Sequence, residues 1–252
     1  MVECAGVGER VGCVDRGAAL CGDDARVVDG AFGLWARTSK VHGPLTEGLE
    51  GADSWAADGH KWLQTPYDCG FAFVRDADAH RRAMAFGASY LPPVAEGERD
   101  PTHFVPELSR RARGFATWAM LRHLGRAGIA GLVEQNCRQA RLIADRVRAE
   151  PGIAVLNDVV LNQMVMRFGD DDQRTQATIS RLQSDGEAFA GGTLWQGKWA
   201  MRLSVSGYAT TDADAERTAA AVINAWRRSK PIWATGIRRW PCAMPTARSP
   251  PA

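Results

Sequence analysis

The segment Asp53-Ser-Trp-Ala-Ala-Asp-Gly-His-Lys-Trp-Leu-Gln-Thr-Pro-Tyr-Asp-Cys-Gly70 constrains this chain more than any other. It reads as a strand that stops at Asp58-Gly59, a turn bearing His60 and Lys61, and a second strand from Gly70 to Val74. One lysine is thereby presented at a strand end, where open α/β sheets hold ligands. A lysine in a turn is most often an exposed charge. Partly desolvated, it becomes a neutral amine able to form a Schiff base with an aldehyde.

A second feature lies upstream in Val28-Asp29-Gly30-Ala31-Phe32-Gly33. A short apolar strand ends at Asp29, and the two glycines permit a tight exit. Asp29 and Lys61 are 32 residues apart, about one strand-connection-strand unit. Adjacent strands would bring their ends together, so that one ligand could touch both. By itself, Asp29 reads first as an aspartate that ends a strand by capping a turn, which is common.

The rest of the chain organises around these strands. Residues 45–51 read as a short helical or turn connection. Residues 77–108, which hold Pro92, Pro93, Pro101 and Pro106, read as a long loop. Two helices are predicted over 114–124 and 129–147, the second with Ile129, Leu132, Val133, Ala140, Ile143, Ala144 and Val147 on one face. Strands follow at 153–156 and 161–168, then a helix at 173–183. A hairpin is predicted around Gln196-Gly197, with strands at 187–195 and 199–206. Thr211 and Asp214 form a capping-box pattern that opens a helix running to about Arg228. Residues 1–25 lack clear periodicity and read as poorly specified sequence ahead of the fold. Residues 229–252, rich in proline, read as a loose tail.

Charge and cysteine usage narrow the function classes. A net charge of +2 gives no electrostatic case for nucleic acid or an anionic membrane, and no apolar run approaches the length of a membrane span. The six cysteines form no CxxC pair, and the five histidines form no metal-ligand pattern. Reduced thiols, a cytoplasmic location and no metal are expected.

His60-Lys61-Trp62 after the Asp53-Ser54 strand, followed by Pro66-Tyr67-Asp68-Cys69-Gly70, resembles the group II pyridoxal-phosphate-dependent amino-acid decarboxylases. The Asp29-Gly30-Ala31-Phe32 motif, the run from Ser109 to Trp118, and Arg202-Leu203-Ser204 fall in the same order as in that family. Together these segments cover residues 26 to 228. The family includes aromatic-amino-acid, tyrosine and glutamate decarboxylases. The resemblance implies the fold-type I, aspartate-aminotransferase-like α/β architecture, with a mixed, mostly parallel sheet and a small C-terminal α/β domain. It places the large domain at 26–150, truncated to its C-terminal part, and the small domain at 151–228.

The resemblance also implies site residues. Lys61 would form a Schiff base with pyridoxal 5′-phosphate, and Asp29 would face the pyridine nitrogen. Ala31 would pack on the ring, and His60 would lie near the phosphate. Asp58 would either bond the cofactor or cap the turn. Tyr90 would protonate the carbon that loses CO2, and Arg202 would meet the substrate carboxylate. Arg111 and Arg113 would bind anions or a neighbouring subunit, or form a solvated basic turn. The expected reaction is decarboxylation of an L-amino acid to an amine and CO2, impaired in this truncated chain, which is expected to bind the cofactor poorly or not at all as an isolated polypeptide. The expected partner is a second copy or a complementary N-terminal chain. Two other readings stay open: an inactive or docking fragment, and another fold-type I enzyme such as an aminotransferase.

Overall fold

Two four-stranded sheets, each with its own hydrophobic cluster, are linked by a long helix. The computed structural model describes residues 13–16, 26–85, 98 and 100–229, the first group as backbone alone. Tyr90 lies outside the described residues.

The first sheet has the order β1-β2-β3-β4, with β1 at Cys13–Arg16, β2 at Arg26–Asp29, β3 at Ser54–Asp58 and β4 at Gly70–Val74. β1 falls within the stretch read as preceding the fold. β2 and β3 run parallel, whereas β1–β2 and β3–β4 are antiparallel, so the sheet is mixed. The eleven residues between β3 and β4 explain the reversal, since a parallel return needs a longer crossover, usually a helix. Trp55 opposes Phe73 and Ala57 opposes Phe71, so the apolar residues of both strands share one face. Short 3-10 turns at Gly33–Thr38, Gly43–Thr46 and Leu49–Gly51 bridge β2 to β3 and bury Leu49 against Val28 and Ala52.

The segment read as one loop from 77 to 108 instead begins with a helix, α1 (Ala77–Met84). Asp76 caps it by accepting the Ala79 N–H at 2.9 Å. The long helix α2 (Arg113–Arg148) joins the two predicted helices across Gly125, whose φ of 61° breaks the helical path. All seven residues assigned to its apolar face are buried.

The second sheet is antiparallel throughout, in the order β5-β6-β8-β7: β5 Ile153–Val155, β6 Gln163–Phe168, β7 Gly191–Trp195 and β8 Lys198–Ser204. The β7–β8 hairpin turns through Gln196 (φ 49°) and Gly197 (φ 76°), the left-handed pair that a two-residue turn requires. Helix α3 (Asp172–Asp185) and helix α4 (Asp212–Arg228) join α2 in packing on Met164, Met166, Phe168, Met201 and Leu203. The predicted capping box is present: Thr211 Oγ1 accepts from the Asp214 N–H, and the Asp214 carboxylate accepts from the Thr211 N–H.

Candidate active site

The parallel pairing of β2 and β3 gathers five of the sequence-predicted residues, Asp29, Ala31, Asp58, His60 and Lys61. Asp29 sits opposite Ala56, and the Gly30 N–H donates to the Ala56 carbonyl at 2.8 Å. One step further, the Asp58 N–H reaches the Ala31 carbonyl at 3.4 Å. The exit after Asp29 and the turn after Asp58 therefore lie at the same end of the sheet. Asp29 also accepts from the Ala31 N–H at 3.1 Å, so its carboxylate orders the exit of β2. Glycine is needed at position 30 for packing, because a Cβ there would stand 2.7 Å from the Leu34 Cβ.

The turn itself is tightly built. Gly59 N–H donates to the Cys69 carbonyl at 2.9 Å, and Thr65 N–H donates to the Gly59 carbonyl at 3.1 Å. Lys61 Nζ forms an ion pair with Asp58 Oδ2 at 2.6 Å and lies 5.6 Å from the centre of the Phe32 ring. Its side chain is 36% exposed, so the amine is held yet accessible. His60 places Nε2 3.9 Å from the same Asp58 oxygen and Nδ1 2.9 Å from the Cys69 carbonyl. Its ring lies against Tyr67 at 4.2 Å between centroids. Asp58 thus engages Lys61 directly, a contact that neither proposed role for Asp58 anticipated.

Arg202 lies on the second sheet, on β8 opposite Val165 and Gly191. Its side chain is exposed, with no hydrogen bond or ion pair to the lysine turn among the described residues. Arg111 and Arg113 brace the approach to β4. Arg113 grips the Asp68 carboxylate with two nitrogens at 2.9 and 3.0 Å, and Arg111 donates to the Pro66 and Asp68 carbonyls. The Arg113 guanidinium, followed by the backbone hydrogen bond, lowers the Asp68 carboxyl to about 2.

Some neighbours of Lys61 carried no role in the sequence reading. Phe32 stood in a quoted motif without one, and Tyr67 likewise. Trp62 is fully buried, and its indole N–H donates to Asn136 Oδ1 at 3.0 Å, 74 positions away. No local pattern marks that pairing. Among the described residues there is no cluster of three or more His, Cys, Asp or Glu that could hold a metal, and no helix long and apolar enough to cross a membrane.

Residues 27–168 match the family model described as the pyridoxal-dependent decarboxylase conserved domain. Mouse (Mus musculus) histidine decarboxylase is 26% identical over 169 residues, which cover 67% of this chain and 26% of that protein. Aromatic-L-amino-acid decarboxylase of Drosophila melanogaster is 23% identical over 190 residues, covering 75% and 37%. Among solved structures, Oryza sativa TDC with PLP and tryptamine superposes with a TM-score of 0.73 at 21% identity, covering 80% of this chain and 44% of that one. Mouse CSAD in apo form gives 0.69 at 19% identity, covering 79% and 45%. The chain therefore spans less than half the length of each of these relatives.

Proposed function

Because the chain belongs to the pyridoxal-dependent decarboxylase family, we propose that Lys61 is the amine that carries pyridoxal 5′-phosphate in the decarboxylation of an L-amino acid to an amine and CO2. The observation that carries this reading is the arrival of an accessible primary amine and a carboxylate at the ends of two parallel neighbouring strands. That donor set fits the aldehyde and ring-nitrogen ends of such a cofactor. When bound, the cofactor supplies an electron sink for the pair left behind as CO2 departs.

The chain's own residues divide the work. Asp29 holds a proton on the ring nitrogen, a task for which its carboxylate is suited. Ala31, small and next to the strand end, leaves room for a flat ring. Asp58 steers the Lys61 ammonium and is the nearest acceptor for its proton. His60, fixed by Cys69 and Tyr67, would bind near the phosphate of the cofactor. Arg202 supplies a guanidinium for the substrate carboxylate. Tyr90 supplies a phenolic proton to the carbon that loses CO2.

The test is the visible absorption of the chain mixed with pyridoxal phosphate, beside Lys61→Ala. The expected result is a long-wavelength band in the wild type alone, with borohydride fixing the pyridoxyl group on Lys61. Equal trapping on Lys61, Lys40 and Lys198 would overturn the assignment. Amine plus CO2 as products, against a keto acid, separates a decarboxylase from an aminotransferase.

A second reading concerns assembly, which in this proposal is a homodimer or other pairing of chains in the cytoplasm. β4 has no strand on its outer side among the described residues, and its Phe73 is 45% exposed. An apolar edge of this kind is a template for pairing with another polypeptide.

A further inference from the structure

We propose that Asn136 is a positioning residue for Lys61, acting through Trp62 to fix the lysine turn against the segment that follows the Arg202 strand. This rests on the assignment of Lys61 as the cofactor lysine.

Asn136 is fully buried on α2, at the point where three parts of the molecule meet. Its Oδ1 accepts the indole N–H of Trp62, the residue after Lys61, at 3.0 Å. Its Nδ2 donates to the Gly207 carbonyl at 3.1 Å and to Gln139 Oε1 at 3.2 Å. Gly207 lies between β8, which carries Arg202, and α4. The connection is reinforced on both sides. Gln139, also fully buried, donates to the Thr210 carbonyl at 2.7 Å, and Gln135 donates to the same oxygen at 2.6 Å. From the lysine turn, Gln64 Oε1 accepts the Tyr208 N–H at 3.0 Å.

The amide of Asn136 therefore makes three bonds, two of which leave α2 for different segments, the lysine turn and the stretch after β8, while the third meets Gln139 one turn along the same helix. Aspartate would lose the donors, and leucine would lose all three bonds, leaving the Trp62 N–H unpaired in the interior and the Gly207 carbonyl with the Thr210 N–H alone, at 3.3 Å. Trp62 transmits the constraint. Its ring packs with Leu132, Val133 and Cys137 and meets Phe32 edge-on at 5.9 Å, and the Phe32 ring in turn flanks Lys61 Nζ. Fixing the indole thus fixes both the backbone beside Lys61 and the aromatic wall its amine lies against. Fully satisfied buried networks of this kind specify one arrangement of the elements they join.

The experiment compares the wild type, Trp62→Phe, Asn136→Leu and the double variant. One readout is the rate of pyridoxal-phosphate attachment at Lys61 relative to Lys40 and Lys198 in the same molecule, trapped with borohydride and mapped by peptide mass. The other is amide hydrogen exchange at Tyr208, whose N–H is bonded to Gln64 Oε1 rather than to Trp62. Folding is checked by circular dichroism. The expected result is a fall of about fivefold or more in the Lys61 ratio for each single variant, as for about 1 kcal/mol of lost positioning. The double variant should be no worse than Asn136→Leu, because that variant has already lost the bond that Trp62→Phe removes. Tyr208 should exchange faster in Trp62→Phe. If Asn136→Leu does not fold, Trp62→Phe decides the matter through both readouts. An unchanged Lys61 ratio with unchanged Tyr208 exchange in folded Trp62→Phe would overturn the proposal, as would multiplying effects in the double variant. If the wild type shows no preference for Lys61, the cofactor assignment fails instead, and Tyr208 exchange still tests the link between the two segments.

Discussion

Lys61 Nζ and Asp58 Oδ2 lie 2.6 Å apart across a single turn, so the amine meets its carboxylate before it can meet anything else. Both side chains are partly exposed, and an ion pair in such a setting is worth up to about 1 kcal/mol, roughly fivefold in an equilibrium. Asp58→Asn removes the partner and keeps the shape. The expected outcome is attachment of pyridoxal phosphate at Lys61 that is faster by up to about fivefold. Slower attachment would mean that the carboxylate's service as a proton acceptor outweighs its hold on the ammonium. Borohydride trapping over a time course reads the rate.

The turn that presents Lys61 depends on the absence of a side chain at position 59. A Cβ on Gly59 would stand 2.7 Å from Thr65 Oγ1, 2.9 Å from Cys69 Sγ and 2.9 Å from the Phe71 ring. Three groups from the far side of the turn would have to move together, so Gly59→Ala should cost about 1–3 kcal/mol of stability. Urea unfolding of the variant beside the wild type measures it.

Why some of this was legible in the sequence and some was not follows from how far each feature reaches. The strands at 54–58 and 70–74, the Gln196-Gly197 hairpin and the Thr211–Asp214 cap are all written in residues a few positions apart. The apolar face of α2 was legible for the same reason, since its period is local. Helix α1 was not, because eight residues set in a proline-punctuated stretch give too short a period to stand out. The mixed character of the first sheet was foreseen, but the antiparallel return of β4 depends on a connection only eleven residues long. The Asp58–Lys61 contact needed the turn's actual geometry. The pairing of Trp62 with Asn136 joins residues 74 positions apart and leaves no periodic trace.

His42 gives the fold a pH dependence near neutrality. Burial, and then the charge of Arg141, lower its pKa from 6.5, against an opposing pull from Glu134. The unfolded chain therefore binds the proton more readily than the folded one. The neutral ring's contribution is complete above pH 6.5 and shrinks as the pH falls from there toward the lowered folded-state value. Thermal unfolding across that interval should show stability dropping with acidity in the wild type. His42→Gln, which cannot titrate, should flatten the slope.

Asp68 acts in a separate, more acidic window. Its folded carboxyl titrates at about 2 against 3.8 when unfolded, chiefly because Arg113 holds it. The brace is intact above pH 3.8 and is lost as the pH falls through about 2. Acid unfolding of Asp68→Asn, followed by circular dichroism, should therefore be less steep between those two values than that of the wild type. Above pH 3.8 the two slopes should run parallel.

The outer edge of β4 sets how the chain behaves with others of its kind. Phe73 is 45% exposed there, its ring stacked on Phe71 at 6.0 Å, and no strand flanks β4 among the described residues. Unpaired backbone groups beside exposed aromatic rings favour edge-to-edge pairing, and a lysine on such an edge opposes it by making any pairing strand bury a charge. Phe73→Lys should accordingly lower the apparent mass in light scattering at a given concentration while leaving the circular dichroism intact. Because Phe73 faces Trp55 across β3–β4, loss of the ring will also loosen that pair. Val222→Ala, a destabilising change in the other cluster, therefore serves as the control. A fall in mass that the control does not share assigns association to the β4 edge, whereas equal masses in all three proteins would place it elsewhere.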